Sequence, residues 1–139
     1  MSSQRPSCID SSIAIAAFGE WHELHGPAVE ALASSPALVA HAALEAYSVL
    51  TRLPEPFRAP ARTAMEYLAE NFPARRLVLP ATEQRALPET MERAGVRGGA
   101  VYDGLVGLTA KVAGAQLLSL DTRAAQTYDR LGVEYRLAL

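Results

Sequence analysis

Short apolar segments alternate along this chain with longer segments of helical character, and this alternation limits the possible folds more than any other sequence feature. Candidate strands lie at residues 7–9, 37–40, 76–79, 116–119 and 133–137. Candidate helices lie at 22–34, 41–53, 58–71, 82–94, 101–113 and 123–131, with proline or glycine near most of their ends. Strands separated by helices pair in parallel and are covered on both faces. The sequence therefore predicts an α/β fold, a three-layer α/β/α sandwich around a central parallel sheet of about five strands.

The length and composition predict one soluble domain. The chain has 139 residues, of which 50% are apolar and 20% are charged, as in ordinary globular proteins. No repeat or linker divides it, so we expect residues 1–139 to form a single domain. Every apolar stretch is shorter than the roughly 18 residues of a membrane span, and the first residues are polar, unlike a secretory signal. We therefore expect a cytoplasmic protein.

The charged residues and the single cysteine exclude some classes of site. A formal net charge of −2 argues against nucleic-acid binding by a broad positive field, but not against an enzyme that acts on RNA. Cys8 is the only cysteine, so there is no internal disulfide and no thiolate metal cage, and we expect it to be buried. Lys111 is the only lysine. The arginine bias suits phosphate recognition, although the base composition of the gene explains it equally well.

Acidic residues follow candidate strands or open the helices beside them. Asp10 comes directly after the first strand, and Asp121 follows the apolar run 115–120. Glu45 is expected in the opening turn of the helix that follows the second strand. Asp103 is expected in the opening turn of the helix that precedes the fourth strand. Strand carboxyl ends and helix N-termini share one ligand-binding edge in such a fold, so we expect all four acids there. Each alone could be a helix cap.

Four converging carboxylates need a cation. Two unit charges about 4 Å apart repel by roughly 4 kcal/mol at an effective dielectric of 20. Oxygen ligands without cysteine favour Mg²⁺ or Mn²⁺. Such an ion binds a phosphodiester oxygen, lowers the pKa of an attacking water and offsets charge on the leaving oxygen. The four acids therefore predict metal-dependent hydrolysis of phosphodiester bonds.

The segments around the acids resemble a known family over nearly the whole chain. "CIDSS", "ALEAYSVLTRL", "GGAVYDGL" and "LLSLDTRA" carry the four acids in the order and approximate spacing of PIN-domain ribonucleases, most closely the single-domain VapC-type toxins of bacterial toxin–antitoxin pairs. The resemblance implies that strands one and four are neighbours. It implies Mg²⁺- or Mn²⁺-dependent cleavage of transfer or ribosomal RNA, with Asp10, Glu45 and Asp103 as principal metal-site residues and Asp121 in support. It also implies a homodimer and a small inhibitory antitoxin.

Two positions near the fourth acid bear on this resemblance. Ser119 matches the Ser or Thr that often stands two residues before that acid, and the resemblance implies a supporting role for it. Leu120 departs from the pattern, because a basic residue is frequent there, whereas Arg123 follows Asp121 by two positions. A phosphate contact at this point is left open.

Other folds also gather acids at strand ends. A non-enzymatic receiver-like switch needs an aspartate after the third strand, where Pro80 stands here, and a lysine after the fifth. A dehalogenase-like phosphatase needs a second acid two positions after Asp10, where Ser12 stands. A PIN-derived fold that only binds its ligand is not excluded by the sequence.

Four further features receive a structural interpretation. His22 and His25 have a spacing that suits zinc, but no further ligand is evident, so an exposed helix face is expected. We expect Trp21 to pack against a neighbouring helix rather than on a base. His41 is expected at a helix start beside the acids. The pair at 98–99 is expected to be a flexible approach to Asp103, because it matches no phosphate-binding glycine motif.

Overall fold

The fold is a parallel sheet surrounded by helices, seen in a computed structural model that describes residues 5–139. The sheet has four strands in this part of the chain: β1 (Ser7–Ile9), β2 (Ala37–Leu38), β3 (Gln116–Ser119) and β4 (Tyr135–Leu137). Their order is β2-β1-β3-β4, and every neighbouring pair is parallel. The predicted α/β class and parallel sheet are confirmed, with one strand fewer than expected. Residues 1–4, part of the polar start considered above, lie outside the description.

The third candidate strand is reduced to a single bridge between Val39 and Leu77. The Leu77 amide donates to the Leu38 carbonyl at 3.1 Å, and the Leu77 carbonyl accepts from the Ala40 amide at 2.9 Å. The next side chain, Val78, is 63% exposed, so it gains little from pairing further. Pro80 then has no amide to donate. Pairing on this side of β2 therefore ends after one residue.

The helices mostly occupy the expected segments, with shifted ends. They are α1 (Ser11–Phe18), α2 (His25–Ala31), α3 (Ala40–Leu50), α4 (Ala61–Asn71), α5 (Ala81–Arg85), α6 (Leu87–Ala94), α7 (Ala100–Val112) and α8 (Thr122–Arg130). The candidate helix at 22–34 is shorter than predicted and ends in a 3₁₀ turn, Leu32–Ser34. The candidate helix at 82–94 is two helices, because Pro88 lies in the first turn of α6 and lacks the amide that would continue α5.

Two glycines set the packing of α7, the helix that carries Asp103. A Cβ atom at Gly104 would lie 2.5 Å from Met91 Cε, and one at Gly107 would lie 2.9 Å from the Tyr128 ring. Glycine at these positions therefore lets α6 and α8 approach α7 closely, which holds Asp103 beside the residues of α8.

The core confirms the expectation that Cys8 is buried. Cys8 is fully buried, and burial raises the pKa of its thiol to about 12, so it remains a protonated core residue. Within residues 5–139, no helix combines the length and apolar character needed to cross a membrane.

Candidate functional site

Asp10 lies where β1 ends and α1 begins. The Ile9 position of β1 is paired with Leu118 of β3, and the Asp10 amide donates to the Leu118 carbonyl at 3.3 Å. Asp10 Oδ1 caps α1 by accepting from the Ser12 amide at 3.1 Å. Because β1 and β3 are parallel neighbours, the ends that carry Asp10 and Asp121 lie side by side, as the family resemblance implied.

Asp10 is an almost completely buried carboxyl, only 5% exposed. The Tyr128 hydroxyl donates to Asp10 Oδ2 at 2.8 Å, and the Ser12 hydroxyl donates to Oδ1. Burial raises the pKa of Asp10, and these hydrogen bonds oppose the shift because they stabilise the ionised form. The protein therefore uses two side-chain donors to hold one buried carboxyl in place.

Two serine hydroxyls connect the ends of β1 and β3. Ser12 Oγ accepts from the Leu120 amide at 2.9 Å, and Ser119 Oγ accepts from the Asp121 amide at 3.0 Å. The two hydroxyl oxygens are 3.4 Å apart. Ser119 is completely buried. It therefore lies where a supporting role was predicted, and it orients the backbone of Asp121.

Asp121 is the N-cap of α8. Its Oδ1 accepts from the amides of Arg123 at 2.9 Å and Ala124 at 3.1 Å. These bonds fix the carboxyl at the helix start, beside the end of β3. Asp121 therefore caps a helix and also lies beside the strand end that carries Asp10.

Glu45 and Asp103 complete the acidic cluster, which we define as Asp10, Glu45, Asp103 and Asp121. Asp103 lies in the first turn of α7 as predicted, whereas Glu45 lies in the second turn of α3, because that helix begins at Ala40. Burial, followed by the charges of Asp103 and Asp10, raises the pKa of Glu45 to about 7. Burial, followed by the charges of Asp121 and Asp10, raises the pKa of Asp103 to about 6, while Arg123 opposes the shift.

The donor set of this cluster suits a hard divalent cation. Among the described residues, no group of three or more His, Cys, Asp or Glu side chains is arranged closely enough to hold a metal ion. Burial, and after it the charges of the neighbouring acids, nevertheless raises the pKa of Glu45 and of Asp103, so a positive charge nearby would favour the ionised forms. Oxygen donors without sulfur match Mg²⁺ or Mn²⁺.

An arginine-lined cleft opens beside two of the acids. It has a volume of about 660 Å³ and is lined by Asp103 and Asp121 together with Arg97, Arg123 and Arg130. Positive side chains thus face the same space as two of the four carboxylates. This arrangement suits an anion that also contacts a bound cation.

The histidine pair does not form the exposed helix face that was expected, because both side chains are partly buried and only His25 belongs to α2. His25 Nδ1 lies 2.8 Å from the Ala16 carbonyl, and His22 Nδ1 accepts from the Leu24 amide at 3.0 Å. Trp21 packs on Phe57, with ring centroids 5.1 Å apart, but Phe57 lies in a turn and not on the neighbouring helix that was expected, and Trp21 is 42% exposed. These residues therefore contribute to local structure.

His41 lies beside the acidic cluster. Its ring stacks on Tyr102, with centroids 5.8 Å apart and an interplanar angle of 10°, and its Nε2 lies 3.9 Å from Glu45 Oε2. Burial lowers the pKa of His41, so the imidazole is neutral near pH 7 and forms no ion pair with Glu45. Gly98, in the approach to Asp103, has a φ of +64°, which glycine adopts without strain.

Two residues of the site were missed by the sequence analysis. Tyr128 and Ser12 both donate to Asp10. Tyr128 could have been suspected from its position on α8, because Asp121, Ala124 and Tyr128 have a spacing that places them on one face of a helix. The residue that Tyr128 contacts, Asp10, is 118 residues away in the chain, so the sequence did not indicate the contact.

Comparison with known proteins identifies the family. The PIN domain profile matches residues 7–130, which is most of the chain. The chain belongs to the PIN-domain family. This PIN domain is 49% identical over 128 residues to Ribonuclease VapC40 of Mycobacterium tuberculosis, from strain CDC 1551 / Oshkosh and from strain ATCC 25618 / H37Rv. The match covers 92% of this chain and 96% of the relative.

A second relative agrees with the first. Ribonuclease VapC27 of M. tuberculosis H37Rv is 39% identical over 134 residues, covering 96% of this PIN domain and 97% of the relative. The family that the four acidic segments suggested is thus confirmed, and the protein is a VapC-type PIN domain. The receiver-like and dehalogenase-like alternatives are excluded by this match.

Proposed function

We propose that this VapC-type PIN domain is the endoribonuclease toxin of a toxin–antitoxin pair, and that it hydrolyses RNA phosphodiester bonds with Mg²⁺ or Mn²⁺. The relatives named above are ribonucleases. The observation that supports the metal dependence is the nearness of the acids, since Glu45 and Asp103 each lie close enough to other members of the acidic cluster for those charges to raise their pKa values further than burial alone does. A cluster whose acids resist ionisation together gains most from a divalent cation.

Asp10, Glu45 and Asp103 would hold the metal, with Asp121 in support, and to do so they would have to lie closer together than they do in this structure. When bound, a divalent ion supplies Lewis-acid chemistry at a phosphate oxygen and at a water molecule. The chain's own residues prepare this site. Tyr128 and Ser12 fix the Asp10 carboxyl, Ser119 orients Asp121, and the Arg123 guanidinium places a positive charge near Asp103.

The proposal includes three kinds of partner. The substrate is transfer or ribosomal RNA, as the family resemblance implies. A small antitoxin restrains the enzyme by placing an apolar helix in a surface groove and a basic residue near the acidic cluster. A second copy forms a homodimer, which would bury exposed apolar side chains such as Leu44 and Met65. We propose that these partners meet in the cytoplasm.

A nuclease assay with purified protein tests the proposal. We expect RNA cleavage in Mg²⁺ or Mn²⁺ and none in chelator, and a loss of orders of magnitude in Asp10→Asn and Asp103→Asn with unchanged circular dichroism. Asp129→Asn is the matched control, because Asp129 is exposed and bonds to Tyr135 away from the acidic cluster. Full activity of the Asp103→Asn protein would contradict the assignment. RNA binding without cleavage under all conditions would favour a binding module.

A further inference from the structure

A second, larger cavity lies next to the arginine-lined cleft. It has a volume of about 980 Å³ and lies between α6 and α7, with Leu87, Met91, Val101, Tyr102 and Leu105 in its lining. The cleft and the cavity share four lining residues, Gly95, Val96, Arg97 and Arg130. They therefore form one continuous groove, which runs from Asp103 and Asp121 to the space between these two helices.

Three arginines and two carboxylates line the cleft end of this groove. Arg97, Arg123 and Arg130 are exposed, and among the described residues none of them has a carboxylate partner within 4.0 Å. By contrast, Arg62 and Arg93 pair with glutamates on their own helices. Asp103 and Asp121 line the same cleft and offset part of this charge, which leaves an excess of one positive charge when both acids are ionised. The guanidinium fork fits phosphate oxygens.

The cavity end of the groove is mostly apolar and contains an accessible aromatic ring. Tyr102 is 56% exposed, and its ring is held flat against His41. Aromatic side chains of this kind stack on unpaired bases of single-stranded nucleic acid. The groove thus has an apolar end suited to bases, which adjoins an arginine-lined end suited to phosphates.

We propose that the RNA strand flanking the cleaved bond lies in this groove, with phosphates on Arg97, Arg123 and Arg130 and a base in the cavity beside Tyr102. This inference rests on the proposed function, because it assigns the path of the same substrate. A segment of the antitoxin fits the groove less well, since the basic residue expected to reach the acids would meet three arginines. The three arginines therefore favour a polyanion, RNA, as the occupant of the groove.

Binding of a labelled oligonucleotide tests the groove. The probe is a fluorescein-labelled single-stranded RNA of twelve uridines, measured by anisotropy in Ca²⁺ to limit cleavage. We expect Arg97→Ala and Arg123→Ala to bind about tenfold more weakly, the scale of removing one charge-assisted hydrogen bond. The slope of log K against log salt should also fall by about 0.7 for each phosphate that no longer pairs with an arginine.

Arg93→Ala is the matched control, because it removes the same charge from the end of α6 and lines neither the cleft nor the cavity. For the base, a probe carrying one 2-aminopurine should be quenched on binding wild type and less quenched with Tyr102→Leu. Melting curves show whether each variant is folded.

The outcomes separate the groove from the proposed function. In one outcome, the wild type cleaves RNA with metal while the Arg97→Ala, Arg123→Ala and Arg93→Ala proteins all bind RNA equally. This result would overturn the proposed RNA path and would leave the proposed nuclease function standing. Arginine-dependent binding without any cleavage would support the groove and remove the proposed function. Unchanged RNA binding with altered dimerisation or antitoxin binding would assign the groove to a protein partner and overturn our inference.

Discussion

The Tyr128 hydroxyl donates a hydrogen bond of 2.8 Å to Asp10 Oδ2, across a separation of 118 residues in the chain. Both side chains are buried, and Tyr128 is completely so. The bond joins α8 to the end of β1. It thereby orients the most buried acid of the site from an element that also carries Asp121.

We expect Tyr128→Phe to destabilise the protein and to weaken catalysis. The substitution keeps the ring but leaves a buried carboxyl without one of its donors, which costs about 1–2 kcal/mol. For a domain of this size that is about 3–10 °C in melting temperature. Tyr135→Phe is the matched control, since its hydroxyl bonds to the exposed Asp129. Equal melting temperatures of the two variants would show that the Asp10 bond contributes nothing measurable.

Neutralising one acid should stabilise the metal-free protein. In chelator at low salt, Asp103→Asn removes repulsion that the folded state carries and the unfolded chain does not. Water in the open cleft weakens the effect, so we expect about 1 kcal/mol, or roughly 2–6 °C in melting temperature. Mg²⁺ or Mn²⁺ should raise the melting temperature of wild type more than that of the variant. A variant less stable than wild type in chelator would refute the mutual repulsion.

Stability of the metal-free protein should fall as pH rises through the range in which the acidic cluster ionises. Glu45 has a pKa of about 7 and Asp103 of about 6 in the folded protein, both above their ordinary values. The native state therefore holds protons that the unfolded chain has released, and the slope of unfolding free energy against pH is negative there. The lowered pKa of His41 acts in the opposite direction.

Comparison with Glu45→Gln isolates this pH effect from that of His41. Between about pH 5 and pH 7.5 in chelator, the drop in melting temperature should be larger for wild type than for the variant. With Mg²⁺ present the stabilisation by metal should instead grow with pH, because the ligands must be deprotonated. Identical pH profiles for wild type and variant would exclude Glu45 as a titrating member of the acidic cluster.

Coexpression with the neighbouring genes tests the predicted partners. We expect a small antitoxin to co-purify with this chain, and light scattering at micromolar concentration to give the mass of a dimer for the toxin alone. Leu44→Glu, which places a charge on the most exposed large apolar side chain of α3, should shift a dimer towards monomer. A monomeric wild type would contradict the predicted homodimer. Recovery of highly active protein without a small partner would contradict the predicted antitoxin.

The sequence by itself determined the elements whose signals are local. The β3 strand has the predicted bounds, and Asp121 before α8 is a cap that helix-start preferences identify. The order of apolar and helical segments was enough for the parallel α/β class, because connected parallel strands require crossovers. The same reasoning predicted that the four acids share one edge of the sheet.

Only the tertiary structure decided the features that depend on distant contacts. The third candidate strand does not form as a strand because Val78 finds no burial beyond the single bridge at Leu77. The Tyr128 hydroxyl reaches Asp10 from 118 residues away, and no local pattern predicts which hydroxyl will meet a buried carboxyl. The other donor, Ser12, lies only two residues after Asp10. The raised pKa values of Glu45 and Asp103 likewise depend on burial and on the spacing of charges in space, which spacing along the sequence does not contain.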